Sequence, residues 1–241
     1  MSYFNNFPNI LYTFGREPTQ NTFQDLSAYV QIIDEIKDNL NFYSSYTILE
    51  GERPDQLSQK LYGTPSMYWT FFLMNDNIRQ SGWPLTASQV QELATKQFPN
   101  KVITTRDDLT GIFKPGQTIT GLGSGATGTI ISRRLDFGQL IINTTGTFTA
   151  GELITSTVGS TTQSAVLYKG STSQYDTIHH WEDDDGLYVD VDPAVGTSAI
   201  YTPITFYEKY IAENDQLRSI NIIKPVAINS VYRAFNEALS Q

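Results

Sequence analysis

Phe113-Lys114-Pro115-Gly116-Gln117-Thr118-Ile119-Thr120 is answered 35 residues later by Phe148-Thr149-Ala150-Gly151-Glu152-Leu153-Ile154-Thr155. The echo runs on weakly at the same offset, with Thr129-Ile130-Ile131 over Ser164-Ala165-Val166. Each copy sets a glycine turn ahead of short β-branched runs, and Leu140 to Asn143 supplies another such run between the copies. Two copies are too few for a solenoid, whose units need neighbours to bury their faces. A small antiparallel barrel or sandwich with pseudo-two-fold repetition fits them instead. Glycine obeys the same boundary: 11 of the 17 lie between Gly111 and Gly170.

Charge divides the chain in the same places. Residues 1–100 carry a net charge of -4, residues 101–180 +1, and residues 181–241 -6, within a total of -9. An acidic chain lacks the clustered Lys and Arg that neutralise phosphates, so no nucleic-acid partner is expected. With no cysteine there is no disulfide framework, thiolate metal site or cysteine nucleophile. The two histidines, His179 and His180, are adjacent, which leaves too small an inventory for a Ser-His-Asp triad or a multi-His metal site. No apolar run approaches the roughly 20 residues of a membrane span, and Met1 to Ile10 lacks the pattern of a signal peptide. Together with 12% aromatic residues, this inventory implies a structural protein, not an enzyme, with no cofactor, no metal and no membrane partner.

Outside the glycine-rich middle, helical patterns dominate the first hundred residues. Leu26, Tyr29, Val30, Ile33 and Ile36 recur at helical spacing, which predicts an amphipathic helix over Phe23 to Leu40. Phe42 to Leu49 reads as a strand ending at Gly51. Pro54 opens a helix that stops at Gly63. Thr64-Pro65 opens a second one through Tyr68, Trp69, Phe71, Phe72, Leu73 and Met74, ended by the turn formers Asn75-Asp76-Asn77. A third starts near Thr86 or Ser88 and ends before Phe98-Pro99. In the last third, Asp183-Asp184-Asp185-Gly186 reads as a turn before Leu187-Tyr188-Val189. Ile204 to Ile211 and Ile220 to Ile223 read as strands. A final helix places Ile228, Val231, Tyr232, Phe235 and Leu239 on one face. The fold class is therefore α+β in four regions: an N-terminal arm and amphipathic helix (1–45), a helical-hairpin domain (46–100), an inserted all-β barrel or sandwich (101–174), and C-terminal strands with a terminal helix (175–241).

Three places invite a chemical reading. His179-His180-Trp181-Glu182-Asp183-Asp184-Asp185 holds imidazoles and carboxylates, but neighbours on a strand point to opposite faces and the acidic run lacks a calcium loop's spacing. An exposed acidic turn is expected there. Gly121-Leu122-Gly123-Ser124-Gly125-Ala126-Thr127-Gly128 suggests a phosphate cradle, yet Thr129-Ile130 stands where the Lys-Ser/Thr pair would be needed, and strand follows where a dinucleotide site needs helix. Glu50 and Glu52 flank Gly51 on a loop with no sign of a cleft. The denser feature is aromatic: Tyr62, Tyr68, Trp69, Phe71, Phe72 and Trp83 suit a hairpin core, and any left exposed would anchor a partner.

Tyr46-Thr47-Ile48-Leu49-Glu50-Gly51-Glu52-Arg53-Pro54-Asp55-Gln56-Leu57-Ser58 with Lys60-Leu61-Tyr62-Gly63 resembles the LysM module, and Trp69 and Asn75 stand where that family usually has Trp and Asn. The resemblance implies a binding surface at Gly51, Glu52 and Arg53 on one side and Asn75, Asp76 and Asn77 on the other, used in that family for N-acetylglucosamine polymers. Glu52-Arg53-Pro54 departs from the family's Asp-Thr/Ser-Leu, which argues against glycan binding. The closing strand motif does not directly follow Asn77; Phe113 to Thr118 mimics it but belongs to the repeat.

Glu52-Arg53-Pro54, Leu61-Tyr62-Gly63, Tyr68-Trp69, Asn75-Asp76-Asn77 and Gly82-Trp83, with Asn214 to Ile223 followed by a helix, together resemble the baseplate wedge subunit of T-even-like contractile-tailed phages, which contains a LysM-like domain. The resemblance spans roughly residues 1–100 and 175–241. It implies a virion structural protein that joins neighbouring wedges around the central hub during tail assembly. Its partners would be other wedge subunits, including the heterodimeric wedge core, and its place the tail baseplate, reached from the host cytoplasm. Candidate docking residues are Gly51, Glu52, Arg53, Tyr68, Trp69, Asn75, Asp76, Asn77 and Trp83, with Asn214, Arg218, Tyr232 and Phe235 at a C-terminal interface. The alternative is a peptidoglycan-binding LysM protein.

Overall fold

A computed structural model describes residues 9–13, 15, 20–24, 42–192, 194 and 200–239. The fold is mixed α+β and divides into two compact units, residues 1–86 with 214–241 and residues 87–213. The second is continuous in sequence and interrupts the first.

In the first unit, β1 (Asn9–Thr13) and β2 (Gln20–Gln24) form an antiparallel hairpin. Phe23 and Gln24 are therefore strand residues, where the expected amphipathic helix was to begin; the rest of that helix lies outside the described residues. β3 (Tyr43–Thr47) pairs antiparallel with β13 (Ser219–Ile223), Tyr46 facing Ile220. Between them in sequence come α1 (Pro54–Tyr62), α2 (Trp69–Met74) and α3 (Asp76–Ser81). Pro54 sits at the first turn, where its missing N–H costs nothing. Gly63 ends α1 with a left-handed φ of 72°. The expected second helix is split. Pro65–Met67 form a 3-10 turn, Asn75 is extended at φ -130°, and Asp76-Asn77 begin α3 instead of a loop. Ile48, Leu57, Phe71, Ile78, Ile220 and Ile222 make one core cluster. A second gathers Trp69, Leu73, Met74 and Ile223 against α6 (Ile228–Leu239) through Ile228, Val231 and Phe235. The spacing of those last three residues buries one stripe of the terminal helix, with Tyr232 half-buried beside it.

The second unit starts with α4 (Ala87–Gln97) and continues into a closed six-stranded barrel. Its strands are β4 (Lys101–Thr105), β5 (Thr118–Gly121), β6 (Thr127–Arg134), β7 (Gln139–Asn143), β8 (Leu153–Val158) and β9 (Thr161–Ser173), in the order β4-β7-β6-β5-β8-β9. Of the barrel and sandwich alternatives, the glycine-rich segment takes the barrel. Phe113 and Phe148, Ile119 and Ile154, and Ile130 and Leu167 fill its interior. The first two pairs keep the 35-residue offset and the third does not. Ile119 faces Gly128 across β5–β6, whereas Ile154 faces Ala165 across β8–β9. The second hairpin is thus two residues longer, and the returning strands correspond at an offset of 37. Thr129-Ile130-Ile131 matches Val166-Leu167-Tyr168, not Ser164-Ala165-Val166.

Beyond the barrel, β10 (Ile178–Glu182) pairs with β11 (Tyr188–Val189) and β12 (Thr202–Thr205). The strand expected over Ile204 to Ile211 ends at Thr205, and α5 (Phe206–Gln216) replaces the rest. The cause is a capping box: the Glu208 N–H donates to Thr205 Oγ1 (3.1 Å) and the Thr205 N–H to Glu208 Oε2 (2.8 Å).

Candidate docking surface

The loop from β3 into α1 is tied together by one carboxylate. Glu52 accepts the Tyr46 hydroxyl at 3.0 Å, the Leu49 N–H at 3.2 Å and Lys60 Nζ at 3.1 Å. The hydrogen bonds that Lys60 Nζ donates to the Tyr46 hydroxyl and the Glu52 carboxylate raise the Lys60 pKa. The Glu52 carbonyl accepts Trp83 Nε1 at 2.7 Å, which holds the indole edge to the loop while its face packs near Phe71 and Phe72. Gly51 makes the turn with φ 76°, a conformation that a side chain would strain. Arg53 forms an exposed fork with Asp55 at 3.0–3.1 Å.

Asn75 has a different role. Its Nδ2 donates to the carbonyls of Phe71 (2.8 Å) and Asn221 (2.7 Å), and its Oδ1 accepts the Asn221 N–H at 2.7 Å. The carboxamide thus pairs with β13 as a neighbouring strand's peptide group would. Asn214 repeats the device on Leu85, accepting its N–H at 2.7 Å and donating to its carbonyl at 3.0 Å, with Arg218 adding a bond to that carbonyl at 3.2 Å. Arg218 also pairs with Asp215 at 2.9 Å. Trp69 is buried against Phe235, with ring centroids 4.6 Å apart. Tyr62 donates its hydroxyl to the Ile223 carbonyl at 2.9 Å, and burial pushes its pKa up to about 12.

Of the docking candidates, Trp69, Asn75, Asn214 and Phe235 are therefore interior groups whose polar atoms or rings serve the fold. Glu52, Trp83, Arg218 and Tyr232 are half-buried. Gly51, Arg53, Tyr68, Asp76 and Asn77 face solvent. Asn221 and Leu85, the receivers of the two asparagines, had no signal in the sequence because they contribute only backbone.

The other two chemical candidates have internal explanations. The glycine loop does cradle an anion, but the anion belongs to the protein. Glu152 accepts the N–H groups of Gly123 (3.1 Å), Ser124 (2.8 Å) and Thr149, and the Ser124 hydroxyl at 3.0 Å. Burial would raise the Glu152 pKa, but these donors hold it below the ordinary value. A Cβ on Gly121 would stand 2.5 Å from Glu152 Oε2, so the glycine is required by this carboxylate.

The histidines do meet, contrary to the alternation expected of a strand. The register of β10 against β12 shifts between Ile178 and His180, and this bulge brings His179 Nδ1 within 2.8 Å of His180 Nδ1. His180 Nε2 bonds Glu182 at 2.7 Å. Burial, then the positive charges of Lys209, His180 and Arg134, push the His179 pKa down to about 4. Asp183 Oδ1 accepts the Asp185 and Leu187 N–H groups, which makes the acidic run a turn. Among the described residues, no group of three or more His, Asp or Glu is placed to hold a metal ion, and no helix is long and apolar enough to cross a membrane.

Residues 12–107 match the family model of base plate wedge protein 53. The match covers the β3–α3 segment and supports a phage baseplate wedge subunit, a structural protein of the virion tail with a role in its assembly. No curated protein matches the chain.

Proposed function

We propose that the chain joins neighbouring baseplate wedges around the central hub, using the solvent-facing side of its first unit. The observation that carries this reading is the match of residues 12–107 to base plate wedge protein 53, which spans the loop and helices bearing Gly51, Arg53, Tyr68, Asp76 and Asn77. The partners are other wedge subunits, including the heterodimeric wedge core, met in the host cytoplasm during assembly. The order strand–helix–helix, closed by β13 from far along the chain, supports a LysM-like reading of this unit. Its loop surface then serves protein docking: Asn75 is already bonded to Asn221, which leaves fewer groups for a sugar.

Reconstitution of wedges from purified subunits tests the proposal. Arg53→Ala and Tyr68→Ala, both at exposed side chains, are expected to reduce the joining of wedges while leaving the fold intact. Joining at the wild-type level in the double variant would sink this surface. Retention of the chain on purified peptidoglycan would favour the glycan-binding alternative.

A further inference from the structure

The internal repeat supplies its own comparison. Interior positions agree between copies, whereas the outward positions differ between the two faces of the barrel that the repeat relates. In the first copy the outward residues are Thr118, Thr129 and Ile131; their counterparts in the second are Leu153, Val166 and Tyr168. In the fourth pair the order is reversed, Leu122 of the first copy corresponding to Thr157 of the second; the Leu122 N–H donates to the Leu153 carbonyl at 2.9 Å, which sets Leu122 beside the second copy's apolar residues. Leu153 and Val166 are directly paired across β8–β9, and Tyr168 follows Val166 on the same face of β9. Leu122, Leu153, Val166 and Tyr168 therefore make one continuous stripe, exposed by 62%, 38%, 49% and 54%. A strand face that only meets water has no use for such a row, and contiguous exposed apolar side chains mark docking sites.

Two cations border the stripe. The Arg106 guanidinium lies 3.8 Å from the centre of the Tyr168 ring, and Lys169 is the next residue along β9. Neither is in an ion pair with a described residue, whereas the nearby carboxylates Glu152 and Asp107 are engaged by backbone N–H groups. Tyr168 and Arg106 also form part of the wall of a cleft of about 250 Å³ shared with Phe137 and Trp181, large enough to seat a bulky side chain. Because the barrel is closed, its strands have no free edge to pair with an incoming strand. Recognition must run through side chains.

We propose that this stripe docks a segment of another baseplate protein in which large apolar side chains are flanked by carboxylates. The inference rests on the baseplate reading of the chain but not on the surface assigned to its first unit.

The test exchanges the two faces. Leu122→Thr, Leu153→Thr, Val166→Thr and Tyr168→Ile together give the stripe the residues of its symmetry-related face, Thr157, Thr118, Thr129 and Ile131, which suit an exposed strand. The mirror variant, Thr118→Leu with Thr129→Val and Thr157→Leu, gives the symmetry-related face three of the stripe's residues and keeps Ile131. Full-length variants are supplied from a plasmid to a phage carrying a null allele of this gene, and plaques and complete tails are counted. The first variant is expected to lower the yield at least tenfold, and the mirror variant to leave it within about twofold of wild type. Equal yields from wild type and a first variant of unchanged Tm would overturn the proposal. Should that variant fail to fold, Arg106→Glu with Lys169→Glu decides in the same assay, a wild-type yield again overturning it. Complete tails from the null phage itself would instead overturn the baseplate reading. Self-association of the purified chain in sedimentation, lost in the first variant, would name a second copy as the occupant and overturn the one proposed.

Discussion

Thr120 and Thr155 occupy the same place in the two copies of the repeat and face each other across the β5–β8 ladder, with Thr155 Oγ1 3.5 Å from the Thr120 carbonyl. An antiparallel pair in which a residue meets its own counterpart is what a local two-fold axis between the copies requires. The repeat is therefore a physical symmetry of the barrel, and it makes matched substitutions informative.

Ile119 and Ile154 are symmetry-related and fully buried. Ile119→Ala and Ile154→Ala are each expected to cost about 2–5 kcal/mol, with similar values for the two. Urea denaturation of the full-length protein measures both; a near-zero cost for either would contradict the shared core.

Asn75→Ala strands the Asn221 N–H and the two carbonyls that Asn75 serves, at an expected cost of about 1–3 kcal/mol. Asn75→Asp keeps an acceptor for that N–H but sets a carboxylate against the carbonyls of Phe71 and Asn221. That environment raises the folded-state pKa above its unfolded value. The Asp variant should therefore be least impaired in acid and lose stability, relative to wild type, as pH rises through the folded pKa. Denaturation midpoints of both proteins across pH 4–8 would show the trend or its absence.

Much of the first unit was legible because its signals are local. Pro54 and Gly63 bound α1 by backbone chemistry alone, and the stripe of Ile228, Val231 and Phe235 announces a docked helix. The glycine-rich middle also announced short strands and turns. Failures came where a single short-range bond outweighs an apolar pattern or where the partner is remote. Ile204 to Ile211 has a strand's composition, but the Thr205–Glu208 box starts a helix. Asn75 reads as a turn residue, and nothing nearby indicates that its carboxamide would reach Asn221. The repeat's returning strands slipped by two because the extra turn residues, Ser and Gly, resemble the copy they interrupt.

Glu152 has a folded-state pKa below its ordinary value. Its contribution is present above the unfolded pKa of about 4.3 and is lost as pH falls through the folded one. Glu152→Gln replaces a charged acceptor with an amide that offers donors to donors, so a loss of about 1.5–3 kcal/mol is expected at pH 7. The gap from wild type should narrow in acid. A gap that stays constant from pH 7 to pH 3 would mean that the carboxylate's charge is not what the glycine loop recognises.

His179 should titrate near pH 4 in the folded protein, against about 6.5 when unfolded. Stability from this group is therefore complete above about pH 6.5 and declines as pH falls through about 4, when the contact between His179 and His180 acquires a second proton. An imidazole NMR titration gives the value directly. A His179 midpoint above 6 would refute the bulged geometry.

The pairing of Tyr46 with Ile220 has a consequence for synthesis. At about 5–20 residues per second, a ribosome that has just made β3 needs roughly 10–35 s more to make β13. The barrel, whose six strands all lie between those two, can close while β3 still waits. The region that is translated first is thus completed last, and nascent chains cut short before Ser219 would carry a finished barrel on an unfinished first unit.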